Sequence, residues 1–198
     1  MDRRVRRTRR QMRDALLALV MEHGYESVTI QQITDKADLS RATFYLHYKE
    51  KDELLADSLE MLFDDLTASM DASLLDFNWQ QPGYKPTTEL FEHVAEYSDL
   101  YNSLFLGSRS LTYVNNRAVS YISNIFENVL RSSVPQDVIL DTPIDIVARS
   151  AAGALFAVTL HWLENGMRQS YADIATMAQN LIMPGVVAAL GLPELADA

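Results

Sequence analysis

The sequence predicts an all-α protein: an N-terminal three-helix module with a helix-turn-helix, joined by a long helix to a larger helical body. Three observations carry this. Apolar residues recur at helical spacing along the chain, with no alternating run that demands a strand. Two helix-start signals, at Thr29 and Ser40, stand on either side of a tight turn. A stripe of Leu55, Leu59, Leu62, Leu66 and Met70 then leads away from that pair toward the acidic remainder of the chain.

Taken in order, Met12, Ala15, Leu16 and Leu19 repeat at helical spacing, and His23-Gly24 ends the first helix. Thr29 is the N-cap of the second. Gln32 three residues on completes a capping box, and Val28 can staple onto Ile33 across the cap. Ala37-Asp38-Leu39 breaks the pattern, and Asp38 tolerates left-handed turn geometry better than most residues. Ser40 caps again, with Leu39 and Phe44 placed for a second staple. In the helix that follows, Phe44 and Tyr48 form an apolar seam and Arg41, Thr43, Tyr45 and His47 are left pointing outward as hydrogen-bond donors. A short helix, a turn and a second short helix is the helix-turn-helix of DNA-binding proteins.

Beyond it, a long helix is expected from Lys51 to about Met70, and a loop from 77 to 86 containing Pro82-Gly83. One helix is expected from about Thr88 to Leu106, closed by Gly107. After a short turn near Ser110, another runs from about Asn115 to Arg131. Thr142-Pro143 opens the next helix, with Asp145 in its first turn and Asn165-Gly166 at its end. Ser170 with Asp173 caps the last long helix, which Pro184-Gly185 should kink or stop.

The chain of 198 residues is 48% hydrophobic, enough for a sizeable core, and has no cysteine. Disulfides, thiol nucleophiles and cysteine-ligated metals are thereby excluded. The basic N-terminus lacks the apolar segment of a secretory signal, and the longest uncharged apolar stretch, 150 to 163, is too short to span a bilayer. A cytoplasmic protein without a membrane partner is the expectation. The net charge of −10 argues against nucleic acid until its distribution is read. Residues 1–51 carry eleven Lys/Arg against seven Asp/Glu, a balance of +4, and residues 52–198 carry six against twenty, a balance of −14. Such asymmetry suits a basic DNA-facing module, 1–51, on an acidic body, 52–198. Six arginines between Arg3 and Arg10 read either as a solvated tail or as an arm on phosphate or the minor groove.

The stretch from about Thr8 to Leu55 resembles the TetR family of bacterial transcriptional regulators. Thr29, Ile33, Ala37, Leu39-Ser40, Thr43-Phe44-Tyr45, His47-Tyr48, Lys51 and Glu53-Leu54-Leu55 sit at that family's spacings. Asp38 stands where the family usually has a turn glycine, Ala42 replaces a common glycine, and Glu50 replaces a small capping residue. The resemblance implies DNA binding through Thr29, Arg41, Ala42, Thr43, Tyr45, His47 and Lys51, with Arg41 and Thr43 on base edges and Tyr45, His47 and Lys51 on phosphate. It weakly extends to Trp162-Leu163-Glu164-Asn165-Gly166-Met167 and the final helix. In many members these last helices pair with their copies, which makes Ala154, Ala157, Leu181, Ile182 and Val186 candidate dimer residues; Ala-rich intrachain core is the competing reading.

Other chemistry is thin. Glu89, His93 and Glu96 share a helix face but read as a solvated charged face, and no metal or cofactor is expected. No phosphate loop, Ser-His-Asp ordering or nucleophile elbow is visible, so enzymatic activity is not expected. Tyr97, Tyr101, Phe105, Tyr121, Phe126, Phe156, His161 and Trp162 are candidates to line an amphipathic effector pocket between helices, although plain core accounts for most aromatics. The expected protein is thus a homodimeric transcriptional regulator, a repressor released from double-stranded operator DNA by a neutral or cationic small molecule. An effector-independent DNA-binding dimer and an enzyme bearing a DNA-binding head are the alternatives.

Overall fold

In a computed structural model residues 3–75, 85–106, 112–134 and 140–191 are described. Among them all regular structure is helical: α1 (Arg3–His23), a 3-10 turn (Tyr25–Ser27), α2 (Ile30–Lys36), α3 (Arg41–Tyr45), α4 (Lys51–Leu75), α5 (Lys85–Glu96), α6 (Ser98–Phe105), α7 (Thr112–Ser133), α8 (Ile144–Glu164) and α9 (Tyr171–Ala189). The chain divides into two packed units, Met1–Asp64 with Ser98–Asn115, and Asp65–Tyr97 with Asn116–Ala198. Pro82-Gly83, Gly107 and the turn near Ser110 lie outside the described residues.

In the first unit α1 buries Met12, Ala15, Leu16, Leu19 and Val20, a stripe with helical period that packs against α2 and α6. Gly24, at φ 73° and ψ 149°, takes a positive-φ extended conformation open to glycine and turns the chain after His23. Both expected start signals form. Thr29 accepts from the Gln32 amide while the Gln32 side chain accepts from the Thr29 amide. Ser40 accepts from the amide of Thr43. Between them α2 ends in a Schellman turn: Leu39 donates to the carbonyl of Thr34 at 2.9 Å and Asp38 to that of Asp35 at 3.2 Å. Asp38 takes the left-handed position at φ 55°. The core of this unit is Met12, Leu16, Val20, Ile33, Phe44, Leu54, Leu55 and Leu59, all essentially inaccessible.

In the second unit α9 packs on α5 and α8. Leu130, Val147, Ala148, Ala151, Val186 and Leu190 form a buried cluster, and Phe126 and Ile182 pack against its edge. Helix α8 ends on a second Schellman turn, with Met167 donating to the carbonyl of Trp162 and Gly166 to that of Leu163. Ser170 caps α9 by accepting from the Asp173 amide. At 21 residues α8 matches a membrane span by length and composition, since it starts at Ile144, six residues before the uncharged stretch, and still takes in few charges. Its Val147, Ala151, Leu155 and Trp162 side is buried inside the unit.

Three expectations are corrected. The arginine run is no extended arm: it lies in α1, which starts at Arg3 because nothing between Arg3 and Met12 breaks a helix. The single helix expected over 88–106 is two, since Ser98 and Asp99 after Tyr97 start a new helix with an acidic first turn. Pro184-Gly185 does not stop α9, which continues to Ala189. Pro184 and Asn180, whose carbonyl loses its usual partner, are exposed, so water can satisfy that group. Val186, expected at a dimer interface, is 5% exposed in the intrachain cluster.

Candidate nucleic-acid interface

Helix α3 has five residues, far too few to be stable alone, so its direction is imposed by what it packs on. Hydrogen bonds of helical type continue past its end: Leu46 donates to the carbonyl of Ala42 and Tyr48 to that of Phe44. The inward line is Phe44 and Tyr48, 0% and 4% exposed, with their rings 5.8 Å apart. Arg41, Ala42 and Tyr45 are exposed, and Thr43 and His47 half-buried. The outward surface of α3 therefore carries Arg41, Ala42 and Tyr45, with Thr43 and His47 at its margins. Arg41 and Tyr45 touch across a turn, with Nη2 3.4 Å from the phenol oxygen.

The Tyr48 hydroxyl fixes the end of this segment. It donates to the Asp57 carboxylate on α4 and accepts from Arg9 Nε at 3.0 Å. Arg9 reaches the same carboxylate through Nε, at 3.1 Å, and through Nη2. One carboxylate thus gathers α1, the stretch that follows α3, and α4. Arg9, counted in the basic run, is committed inward, and its hydrogen bond to Tyr48 raises its pKa above the ordinary value. Burial and the bond to Asp57 push the Tyr48 phenol well above the ordinary tyrosine range, against a smaller opposing effect from Arg9.

A second fastening closes the other side. Lys51 donates through Nζ to the carbonyls of Tyr25 and Val28, both at 3.0 Å, and to that of Glu26 at 3.4 Å. It lies 4.3 Å from the centre of the Tyr25 ring. Tyr25 in turn donates to Asp52, and burial together with that bond pushes its phenol strongly upward. Lys51, expected on phosphate, directs its three ammonium donors at three carbonyls and so ties α4 to the turn before α2. Thr29 is engaged in its capping box at the same edge. The pairings of Arg9 with Asp57 and of Tyr25 with Asp52 were missed by sequence reading, since partners 48 and 27 residues apart leave no local signal.

The candidate effector lining is divided. Tyr101 and Phe105 belong to the first unit, buried and stacked at 5.9 Å. The other six belong to the second. Trp162 packs edge-on against Phe91 at 5.4 Å and donates to the carbonyl of Gln169 at 3.1 Å, so it pins the α8–α9 turn. Tyr121 lies within hydrogen-bond distance of Thr67, at 3.3 Å, and Phe126 and Phe156 are half-buried. Tyr97 is 43% exposed and contacts His93 at 4.6 Å between ring centres. His161 is exposed beside Asn165, which places it outside any core. On the charged face of α5, Glu89 pairs with Lys85 at 3.1 Å and burial lowers the His93 pKa. Ala154, Ala157 and Leu181 are exposed, unlike Val186.

Residues 13–57 match the description of bacterial regulatory proteins of the tetR family, and residues 83–184 that of a transcriptional regulator C-terminal region. The chain belongs to the TetR family. This TetR-family chain is 44% identical over 186 residues to YxbF, an uncharacterized HTH-type transcriptional regulator of Bacillus subtilis (strain 168), an alignment covering 87% of this chain and 44% of that protein. It spans about half the length of the first relatives it matches. Two solved structures share the fold. FadR of Thermus thermophilus, a transcriptional repressor in complex with lauroyl-CoA, superposes with a TM-score of 0.63 at 20% identity, covering 89% of this chain and 94% of that one. RolR in complex with resorcinol gives 0.62 at 15% identity, covering 98% and 95%.

The two raised phenols set an alkaline limit on this module. A tyrosine whose pKa is higher folded than unfolded contributes stability below its unfolded value of about 10 and loses it as pH rises through the folded value. Urea denaturation between pH 8 and pH 11 is expected to show stability falling from about pH 10 upward, and the fall should be shallower in Tyr25→Phe and Tyr48→Phe.

Proposed function

We propose that the chain is a homodimeric, sequence-specific DNA-binding regulator, a repressor that a small molecule releases from its operator. Residues 1–51 read DNA, and residues 52–198 pair the subunits and take the effector. The observation that carries this is the outward surface of α3, capped, braced from behind by Phe44 and Tyr48, and bearing Arg41, Thr43, Tyr45 and His47. In the major groove Arg41 and Thr43 meet base edges, and Tyr45 and His47 meet phosphate. The exposed arginines of α1 add phosphate contacts, and the −14 balance of residues 52–198 keeps the body off the duplex.

The exposed apolar residues Ala154 and Ala157 on α8, with Met177 and Leu181 on α9, support pairing through these two helices. An effector acts by favouring a conformation with poor operator affinity, and a coupling of about 1–3 kcal/mol weakens that affinity roughly 5- to 150-fold. FadR with lauroyl-CoA and RolR with resorcinol support a small-molecule role for residues 52–198. The second reading, an effector-independent dimeric DNA-binding protein, is favoured by the engagement of Trp162 and the exposure of His161, which take two polar tips out of the candidate lining.

Arg41→Ala is expected to relax sequence preference and to cost about 1–3 kcal/mol of specific binding, read by equilibrium titration of matched and mismatched duplexes. Equal loss on both duplexes would place Arg41 on phosphate instead. Ala157→Glu is expected to yield folded monomers in sedimentation equilibrium, since the side chain faces solvent within one subunit. A dimer that tolerates the change would move the interface elsewhere.

A further inference from the structure

Leu46 is the most exposed large apolar side chain among the described residues, at 81%, and it follows directly on the recognition helix. Its position is fixed. Leu46 keeps right-handed helical angles, φ −72° and ψ −20°, and donates to the carbonyl of Ala42, so the helical phase of α3 holds through it. At about 100° per residue, Ala42 and Leu46 each lie about 160° around the axis from Phe44. Thr43 and Tyr45 stand at about 100°, and Arg41 and His47 at about 60°. The polar residues flank the helix, and its outermost line, directly opposite the buried Phe44, is apolar.

We propose that Ala42 and Leu46 are specificity-determining residues that read the C5-methyl groups of thymine in the major groove. The inference rests on the DNA-binding reading of α3 and adds to it which bases are chosen. Among the described residues nothing covers Leu46, and polar groups suited to phosphate and base edges flank it on both sides. The thymine methyl is the one apolar group that base pairs present at the major-groove edge. Ala42 and Leu46 are one helical turn apart, about 6 Å along the axis, against about 3.4 Å per base pair. Both can therefore contact methyls roughly two base pairs apart. Cytosine at the same position carries only hydrogen at C5 and so offers Leu46 no methyl to contact.

The test begins with selection of duplexes from a random pool by the full-length chain. Each thymine of the enriched half-site is then replaced singly by deoxyuridine, which removes the methyl and leaves Watson–Crick pairing intact. With the unaltered chain, one or two of these replacements are expected to weaken binding about fourfold each, the value of burying one methyl group. With Leu46→Ala, replacement at the Leu46-sensitive position is expected to have no further effect, and thermal melting of the protein should be unchanged. Enrichment of a site in which uracil is tolerated throughout, or in which the uracil penalty persists undiminished in Leu46→Ala, would overturn the inference and leave the DNA-binding reading standing. A lowered melting temperature in Leu46→Ala would make Leu46 a residue of the fold and also overturn it. Failure to enrich any sequence would remove the DNA-binding reading itself, and the inference with it.

Discussion

The Asp57 carboxylate is the point on which the N-terminal unit depends. It accepts from Arg9 of α1 and from Tyr48 at the end of the recognition segment, while belonging to α4. Three separate stretches of chain are thereby fixed at one partly buried charge. Such a charge is costly to bury, and the Arg9 guanidinium is what compensates it, so removing Arg9 leaves an unpaired carboxylate whereas removing the Tyr48 hydroxyl loses one hydrogen bond. The five-residue α3 gains from this a direction that it cannot supply for itself. Lys51, with its three carbonyls, does the same for the start of α4 and the turn before α2.

Local chemistry made the helix-turn-helix legible. Thr29, Gln32 and Ser40 act through neighbours three residues away, and Asp38 acts through its own backbone, so their roles could be read directly. The face of α3 was legible for the same reason, since Phe44 and Tyr48 are one turn apart. What escaped were partners distant in sequence: Arg9 with Asp57, Tyr25 with Asp52, and Lys51 with carbonyls of 25 to 28. A lysine on a basic module reads as a phosphate ligand, and the carbonyls that surround Lys51 leave no trace in the local sequence. The arginine run misled differently, because arginine is a good helix former and charge alone does not distinguish an arm from the first turns of a helix.

In the second unit composition was a weaker guide. Val186 and Leu181 are both apolar residues of α9, five positions apart, yet one is buried in the cluster with Leu130 and the other is 74% exposed. Core and subunit interface draw on the same residue types, and only packing separates them. The aromatic residues behave likewise: Trp162 spends its single donor on the Gln169 carbonyl, a use that its spacing from Phe156 and His161 could not show. Charge distribution, by contrast, is a property of the sequence itself, and the step from +4 to −14 needs no coordinates to be seen.

The central claim is that paired recognition segments enter successive major grooves. Hydroxyl-radical footprinting of the full-length chain on a duplex that it selects tests this most directly. Two protected patches on one face of the duplex, related by a two-fold axis, are the expected result. A single patch without symmetry, or protection that follows the protein onto any sequence, would contradict it.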